Sequence, residues 1–278
     1  MAALALPRRS AKATAGGGVG PLGLGVATLW LSIIVLLPLA AVLTKAFSDG
    51  PAAFIDALTA PAARAALIIT VVISAIVALL NVVTGTLIAW VLVRDDFRGK
   101  SFVNALIDLP FALPTIVASI VLLSLYGPRS PIGLDLYATR PALIIALAFV
   151  TLPFVVRSVQ PVLLELDRET EEAAASLGAN NVTIFTQVIL PALLPSLLSG
   201  AGLAFSRAIG EFGSVVLIGG AVPGETEVSS QWIRTLIEND DRTGAAAISI
   251  VLLVVSFVVL FILRAVGSRA AKREELAR

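Results

Sequence analysis

Six apolar runs, each close to twenty residues or longer, recur along the chain at about 22–47, 65–93, 102–126, 142–159, 192–219 and 245–266. A run of that length with few charges reads as a membrane-crossing helix, because a helix satisfies every backbone polar group within itself. Composition agrees: 58% of residues are hydrophobic and 14% charged, against about 25% charged in soluble domains. The fold class that follows is all-α and integral to the lipid bilayer, with six transmembrane helices. The chain has no cysteine and no histidine, which excludes disulfides, thiolate nucleophiles, imidazole bases and the usual zinc sites. No cofactor or metal is expected. A net charge of +1 gives no footprint for nucleic acid.

The polar segments set the topology. Residues 1–21 carry Arg8, Arg9, Lys12 and three consecutive glycines, and read as a cytoplasmic tail. The run that follows is too long for a signal-peptide core, so it is read as an uncleaved first span. Asp49 to Arg64 reads as a proline-punctuated loop. The third run is interrupted at Asp108-Leu109-Pro110 and at Pro114-Thr115. Gly127 to Pro141 and Ala221 to Gly244 are further loops, and residues 267–278 form a basic tail. In the last loop Trp232, Ile233, Leu236 and Ile237 have the spacing of a short amphipathic helix suited to a membrane interface. With both termini in the cytoplasm, thirteen of the 20 Lys and Arg residues lie inside and six outside, with Arg207 left within a span. That asymmetry fits the positive-inside rule. Gly99-Lys100-Ser101 imitates the end of a P-loop, but Arg94 occupies the place of the leading glycine and no strand precedes it. ATP hydrolysis therefore belongs to a partner.

This topology places residues 160–191 in the cytoplasm, and they are the most polar internal segment. Glu171 and Glu172 favour the positive end of a short helix through Leu177, and Gly178 stops it at little cost. Asn180 or Asn181 caps a second short helix, Val182 to Val188, with Ile184, Phe185, Val188 and Ile189 largely on one side. Pro191 suits the first turn of the next long helix. The expected product is a helix–glycine–helix plug with apolar side chains on view.

Glu172-Ala173-Ala174, three residues, Gly178, nine residues and then Val188-Ile189-Leu190-Pro191 resemble the EAA loop of ABC importer permeases, with valine replacing the usual isoleucine. The resemblance implies a MetI-like permease core. It also implies that Glu172, Ala173, Ala174, Gly178, Ile184, Phe185, Val188, Leu190 and Pro191 form a coupling helix seated on an ATPase subunit.

The fifth run holds the other informative cluster. Gly202, Ser206, Gly210 and Ser214 recur every fourth residue, which predicts a small-residue stripe where two helices approach closely. Packing within this chain and packing against a second permease are both open. Arg207 and Glu211 lie one turn apart beside the stripe. They form either a mutually neutralising pair or, with Gly210, Gly213 and Thr115, part of a path or gate for an anion.

Asp108 to Thr115 and Leu125-Tyr126-Gly127-Pro128 resemble stretches of the sulfate/thiosulfate ABC permeases, and Ser206 to Val216 resembles their T-type subunit. Similarity spans roughly Arg64 to Val266. It implies a bacterial inner-membrane importer with a homologous second permease, an ATP-binding cassette ATPase dimer and an extracytoplasmic sulfate-binding protein, carrying sulfate or thiosulfate. Molybdate and tungstate permeases share the Arg-x-x-Gly-Glu-Phe-Gly core, so they stand as an alternative. An ion-coupled secondary anion transporter is a further one, although Asp108 and Glu211 are sparse material for ion coupling.

Overall fold

In the computed structural model residues 21–277 are described, with side chains from Gly23 to Arg269. The expected N-terminal tail lies outside them except for Pro21, which opens the first helix. The described residues are helical, with turns between, in the order α1 (Pro21–Leu31), α2 (Leu37–Ala46), α3 (Gly50–Thr59), α4 (Pro61–Arg94), α5 (Lys100–Ile107), α6 (Leu109–Ala112), α7 (Thr115–Tyr126), α8 (Arg140–Glu165), α9 (Arg168–Ser176), α10 (Asn181–Ile184), α11 (Leu190–Ile209), α12 (Ser229–Glu238) and α13 (Arg242–Ala277). Five continuous helical stretches among them are long and apolar enough to cross a membrane.

Residues up to Val42 form one unit and those from Leu43 another. In the first, α1 and α2 are joined by a π turn at Ser32–Leu36, where the Leu37 N–H donates to the Ser32 carbonyl. The widened turn lies just before Pro38, whose ring crowds the preceding turn of a regular helix and which has no N–H to give.

The second unit is built on α4, α8 and α11. One face of α4 carries Ala63, Ala66, Thr70, Ser74, Ala78, Asn81, Gly85 and Ala89, all buried and three or four residues apart. Small residues at that spacing let neighbouring backbones close in, which drives association where lipid offers no hydrophobic gain. Fully buried Val155 of α8 marks the convergence. A methyl group on Gly85 would lie 3.0 Å from its Cγ1, and one on Gly200 of α11 would lie 3.1 Å from its Cα. The Asn81 amide donates to Thr151 Oγ1 at 2.8 Å and to the Ala148 carbonyl at 3.2 Å, tying α4 to α8. α13 packs along α11, while its other side exposes Phe257 and Phe261.

Several expectations are corrected here. The segment 49–64 is helical, because Pro51 and Pro61 stand in the first turns of α3 and α4, where proline's missing N–H costs nothing. The third run is three short helices, none long enough to cross alone, broken within 108–115 where Pro110 and Pro114 stand. Pro191 does stand in the first turn of α11, but no break precedes that helix: a π turn at Phe185–Ile189 carries α10 into α11, a continuous stretch from Asn181 to Ile209. The fifth run leaves the helix at Gly210 and continues as turns. α12 forms as its spacing requires, but Trp232, Ile233 and Leu236 pack inward beside α3, α4 and α13, leaving Ile237 exposed. The tail from Gly267 continues α13.

Replacing Gly85 with leucine should therefore lower stability by about 1–3 kcal/mol through overpacking. Gly25, around which a side chain meets nothing within 4 Å, should accept leucine without loss. Thermal unfolding of the two variants in detergent checks the contrast.

Candidate functional site

Two regions gather the residues singled out by sequence. The first is the knuckle around Gly178. Asp167 caps α9, its Oδ1 accepting from the Glu169 N–H at 3.0 Å, and Glu169 and Glu171 occupy the positive first turn. Gly178 takes φ +92°, its N–H bonds to the Ala175 carbonyl and the Ala179 N–H to that of Ala174, a Schellman ending that only glycine enters freely. Asn180 is the cap of α10, its Oδ1 accepting from the Thr183 N–H at 2.8 Å.

The apolar side chains on view differ from those expected. Ile184 and Ile189 are buried, Val188 and Leu190 are half-buried, and Phe185 lies edge-on to Trp90 with ring centroids 6.1 Å apart. Apart from Phe185, which keeps 36% of its surface exposed, they face the chain's own body. The outer surface instead carries Leu177, 89% exposed, and Val182, 71% exposed, with Glu172, Ala173 and Pro191 also exposed and Ala174 partly covered. Sequence reading missed the partner of Glu171, which is Arg94 at the end of α4, an ion pair with both members mostly buried.

The second region is the break after α11. Gly202, Ser206, Gly210 and Ser214 do not form one helical stripe, because the helix ends at Ile209. Gly202 faces Leu260 and Leu263 of α13, Gly210 has open space beside it, and Ser214 is buried in the turns beyond. The Oγ atoms of Ser206 and Ser214 are buried with no hydrogen-bond partner. Arg207 and Glu211 do pair, with Glu211 buried and Arg207 36% exposed at its side chain. Glu211 Oε1 also accepts from the Ser214 N–H at 2.9 Å, so the carboxylate caps the turn it opens. Thr115 and Gly213 meet: a methyl group on Gly213 would lie 2.1 Å from Thr115 Oγ1 and 2.9 Å from the Ile116 nitrogen. Ser119 Oγ accepts from the Leu217 and Ile218 N–H groups at 3.1 and 3.3 Å, and Ser230 donates to the Glu211 carbonyl at 2.7 Å. Just before α12, burial raises the pKa of Glu227 above the ordinary carboxyl value.

A third cluster was invisible in sequence. Arg157 of α8 donates through Nε and Nη2 to the two oxygens of Asp108 at 2.8 and 2.6 Å. Its remaining donors go to Asn104 Oδ1, the Asn104 carbonyl and Gln160 Oε1. All five N–H groups are committed, so this arginine fixes the broken third run to α8 and has none left for a ligand.

Comparison with known proteins places this architecture. Residues 81–272 match the family described as Binding-protein-dependent transport system inner membrane component. The chain belongs to that family. Among its relatives, the sulfate transport system permease protein CysT of Synechocystis is 43% identical over 245 residues, covering 86% of each chain. The protein of that name from Salmonella typhimurium is 40% identical over 259 residues, covering 91% of this chain and 94% of the relative. A chain in the crystal structure of a bacterial alginate ABC transporter, in complex with alginate pentasaccharide-bound periplasmic protein, superposes with a TM-score of 0.74. That alignment covers 88% of this chain and 92% of the other at 19% identity, and shows the fold. This inner membrane component is a multi-pass transport protein with a MetI-like permease core, and the family sets aside a secondary transporter.

The contact at Thr115 makes a sharp prediction. Gly213→Ala should destabilise the folded chain strongly, and adding Thr115→Ala should recover only part of the loss, because the Ile116 backbone nitrogen still obstructs the new methyl. Unfolding midpoints of the single and double variants in detergent measure this.

Proposed function

We propose that this chain is the T-type permease subunit of an ATP-driven importer of sulfate and thiosulfate. The observation that carries the reading is the identity of about 40% to sulfate transport system permeases over most of both chains. Those relatives favour sulfate over molybdate and tungstate. The chain sits in a bacterial inner membrane with both termini in the cytoplasm, beside a homologous second permease. An ATP-binding cassette ATPase dimer acts from below, and an extracytoplasmic sulfate-binding protein delivers the anion from above.

In this reading the knuckle is the coupling element. Leu177 and Val182, with Glu172 and Ala173 beside them, are the side chains available to an ATPase groove. Ile184, Phe185, Val188, Leu190 and Pro191 join the knuckle to the spans. ATP binding closes the ATPase dimer, displaces the knuckle and swings the spans outward, and hydrolysis resets them. Ser206, Arg207, Gly210, Glu211, Gly213, Ser214 and Thr115 line or gate the path. Arg207 is the cation there with side-chain surface and donors to spare, whereas the donors of Arg157 are all engaged. Weak, transient contact suits a permease, since a tightly held dianion would not leave.

ATP-driven uptake of labelled sulfate by the reconstituted complex, measured against molybdate, tests the reading; transport of molybdate alone would replace it with the alternative. Gly178→Val, which forces a β-branched residue to positive φ, should leave the subunit in the membrane and uncouple hydrolysis from uptake. For the path, neutralising Arg207 should impair uptake even when Glu211 is neutralised with it. Normal transport by the doubly neutral variant would reduce the pair to a structural role.

A further inference from the structure

The coupling helix has little hold on the body above it. No residue of α9 is fully buried, with Glu171 and Ala174 partly covered, and among the described residues its one side-chain polar link to a span is the Glu171–Arg94 ion pair. Arg94 is the last residue of α4 and its side chain is only 10% exposed. Its guanidinium carbon lies 5.3 Å from the centroid of the Trp90 ring, one turn earlier, and Trp90 meets Phe185 on the knuckle's other leg. Both legs of the knuckle therefore converge on the end of α4, a helix with no covalent connection to either.

We infer that Arg94 is a positioning residue that hands the displacement of the coupling helix to α4. Covalent linkage alone delivers that displacement to α8 and α11, which flank the knuckle. α4 packs against both of those helices through its small-residue face. Were its end free, the knuckle would pivot against it and part of the stroke would be lost. The ion pair closes that freedom, because two mostly buried opposite charges separate only at the cost of leaving each without its partner. Trp90 adds a cation–π contact and a flat surface that keeps the guanidinium aimed at Glu171.

This inference rests on the importer reading, so its test uses the intact complex: this chain with its partner permease, ATPase and binding protein, in proteoliposomes. ATP hydrolysis and labelled sulfate uptake are recorded together, with the amount of assembled complex. Arg94→Gln and Glu171→Gln should each preserve assembly and hydrolysis while lowering sulfate moved per ATP about tenfold, the size of an ordinary coupling between sites. Exchanging the charges, Arg94→Glu with Glu171→Arg, should restore part of that ratio. Because the chain lacks cysteine, Arg94→Cys with Glu171→Cys supply its only two thiols and can be bridged by a short thiol-reactive linker, with the cysteine-free chain in the same complex treated alongside; the bridge should restore coupling if the two ends travel together. An unchanged ratio in the neutral variants, no recovery in the exchanged pair, or arrest of transport by the bridge would each overturn the inference. Failure of the importer reading is distinguishable, since the unaltered complex would then move no sulfate on ATP.

Discussion

The pairing of backbone amides away from water governs this structure. A helix that stops inside an apolar surround leaves N–H and C=O groups that lipid cannot satisfy, each costing several kcal/mol. The chain breaks its helices at two such places, after Ile107 and after Ile209, and folds the breaks against one another. Gly213 lies against the start of α7 at Thr115, and Ser119, one turn further on, accepts two N–H groups from residues 217 and 218. The Glu211 carboxylate serves the Ser214 N–H, and Ser230 the Glu211 carbonyl. Irregular backbone survives because protein groups replace the water that is missing.

The charges within these apolar stretches obey a similar economy. Arg157 meets Asp108, and Arg207 meets Glu211. A lone charge at the centre of a spanning helix costs about 2.5–3.5 kcal/mol on insertion scales, and pairing removes most of that. The two pairs differ in what remains. Arg157 spends every donor on Asn104, Asp108 and Gln160 and is locked. Among the described residues Arg207 is paired with Glu211 and keeps about a third of its side chain exposed, which is the surface the proposed path would use.

Much of this was legible in the residues alone, and the misses share a cause. Five of the six expected spans, the amphipathic α12 and the glycine-stopped knuckle follow from run length, period and capping, all of which act within a few residues; the third run does not form one long helix. Asn180 as a cap and Gly178 as a left-handed stop needed no tertiary information. The stripe at Gly202, Ser206, Gly210 and Ser214 failed because a four-residue spacing means a shared face only while the helix persists, and it stops at Ile209. The same spacing logic applied to α4 would have found its small-residue face. Ile184 is buried in one cluster with Ile107, and Phe185, though still partly exposed, leans on Trp90, both partners coming from distant parts of the chain. The partners of Arg94 and Arg157 were equally remote. Pro191 stands in the first turn of α11 as expected, but the rules that place proline there do not distinguish a separate helix from one continued through a π turn that makes room for it.

A hinge carries force in proportion to how few ways it can bend, and the knuckle shows where freedom was removed and where it was left. Gly178 is open on all sides, so its backbone alone sets its shape. The legs on either side are held differently. The second leg is bonded by burial of Ile184 and Ile189 and by a continuous helix into α11, a broad contact insensitive to the loss of one group. The first leg, α9, has no fully buried residue; it touches the core through a partly covered Ala174 and is steadied chiefly by charge. Apolar packing tolerates sliding by a fraction of an ångström, whereas an ion pair against a flat indole ring fixes both distance and direction. In the proposed reading the helix is gripped from outside and cannot also bury its face within, so the attachment that leaves Leu177 and Val182 exposed is a polar one at its edge. On that reading, the exposed surface of α9 and the mostly buried pair beneath it are two consequences of one requirement.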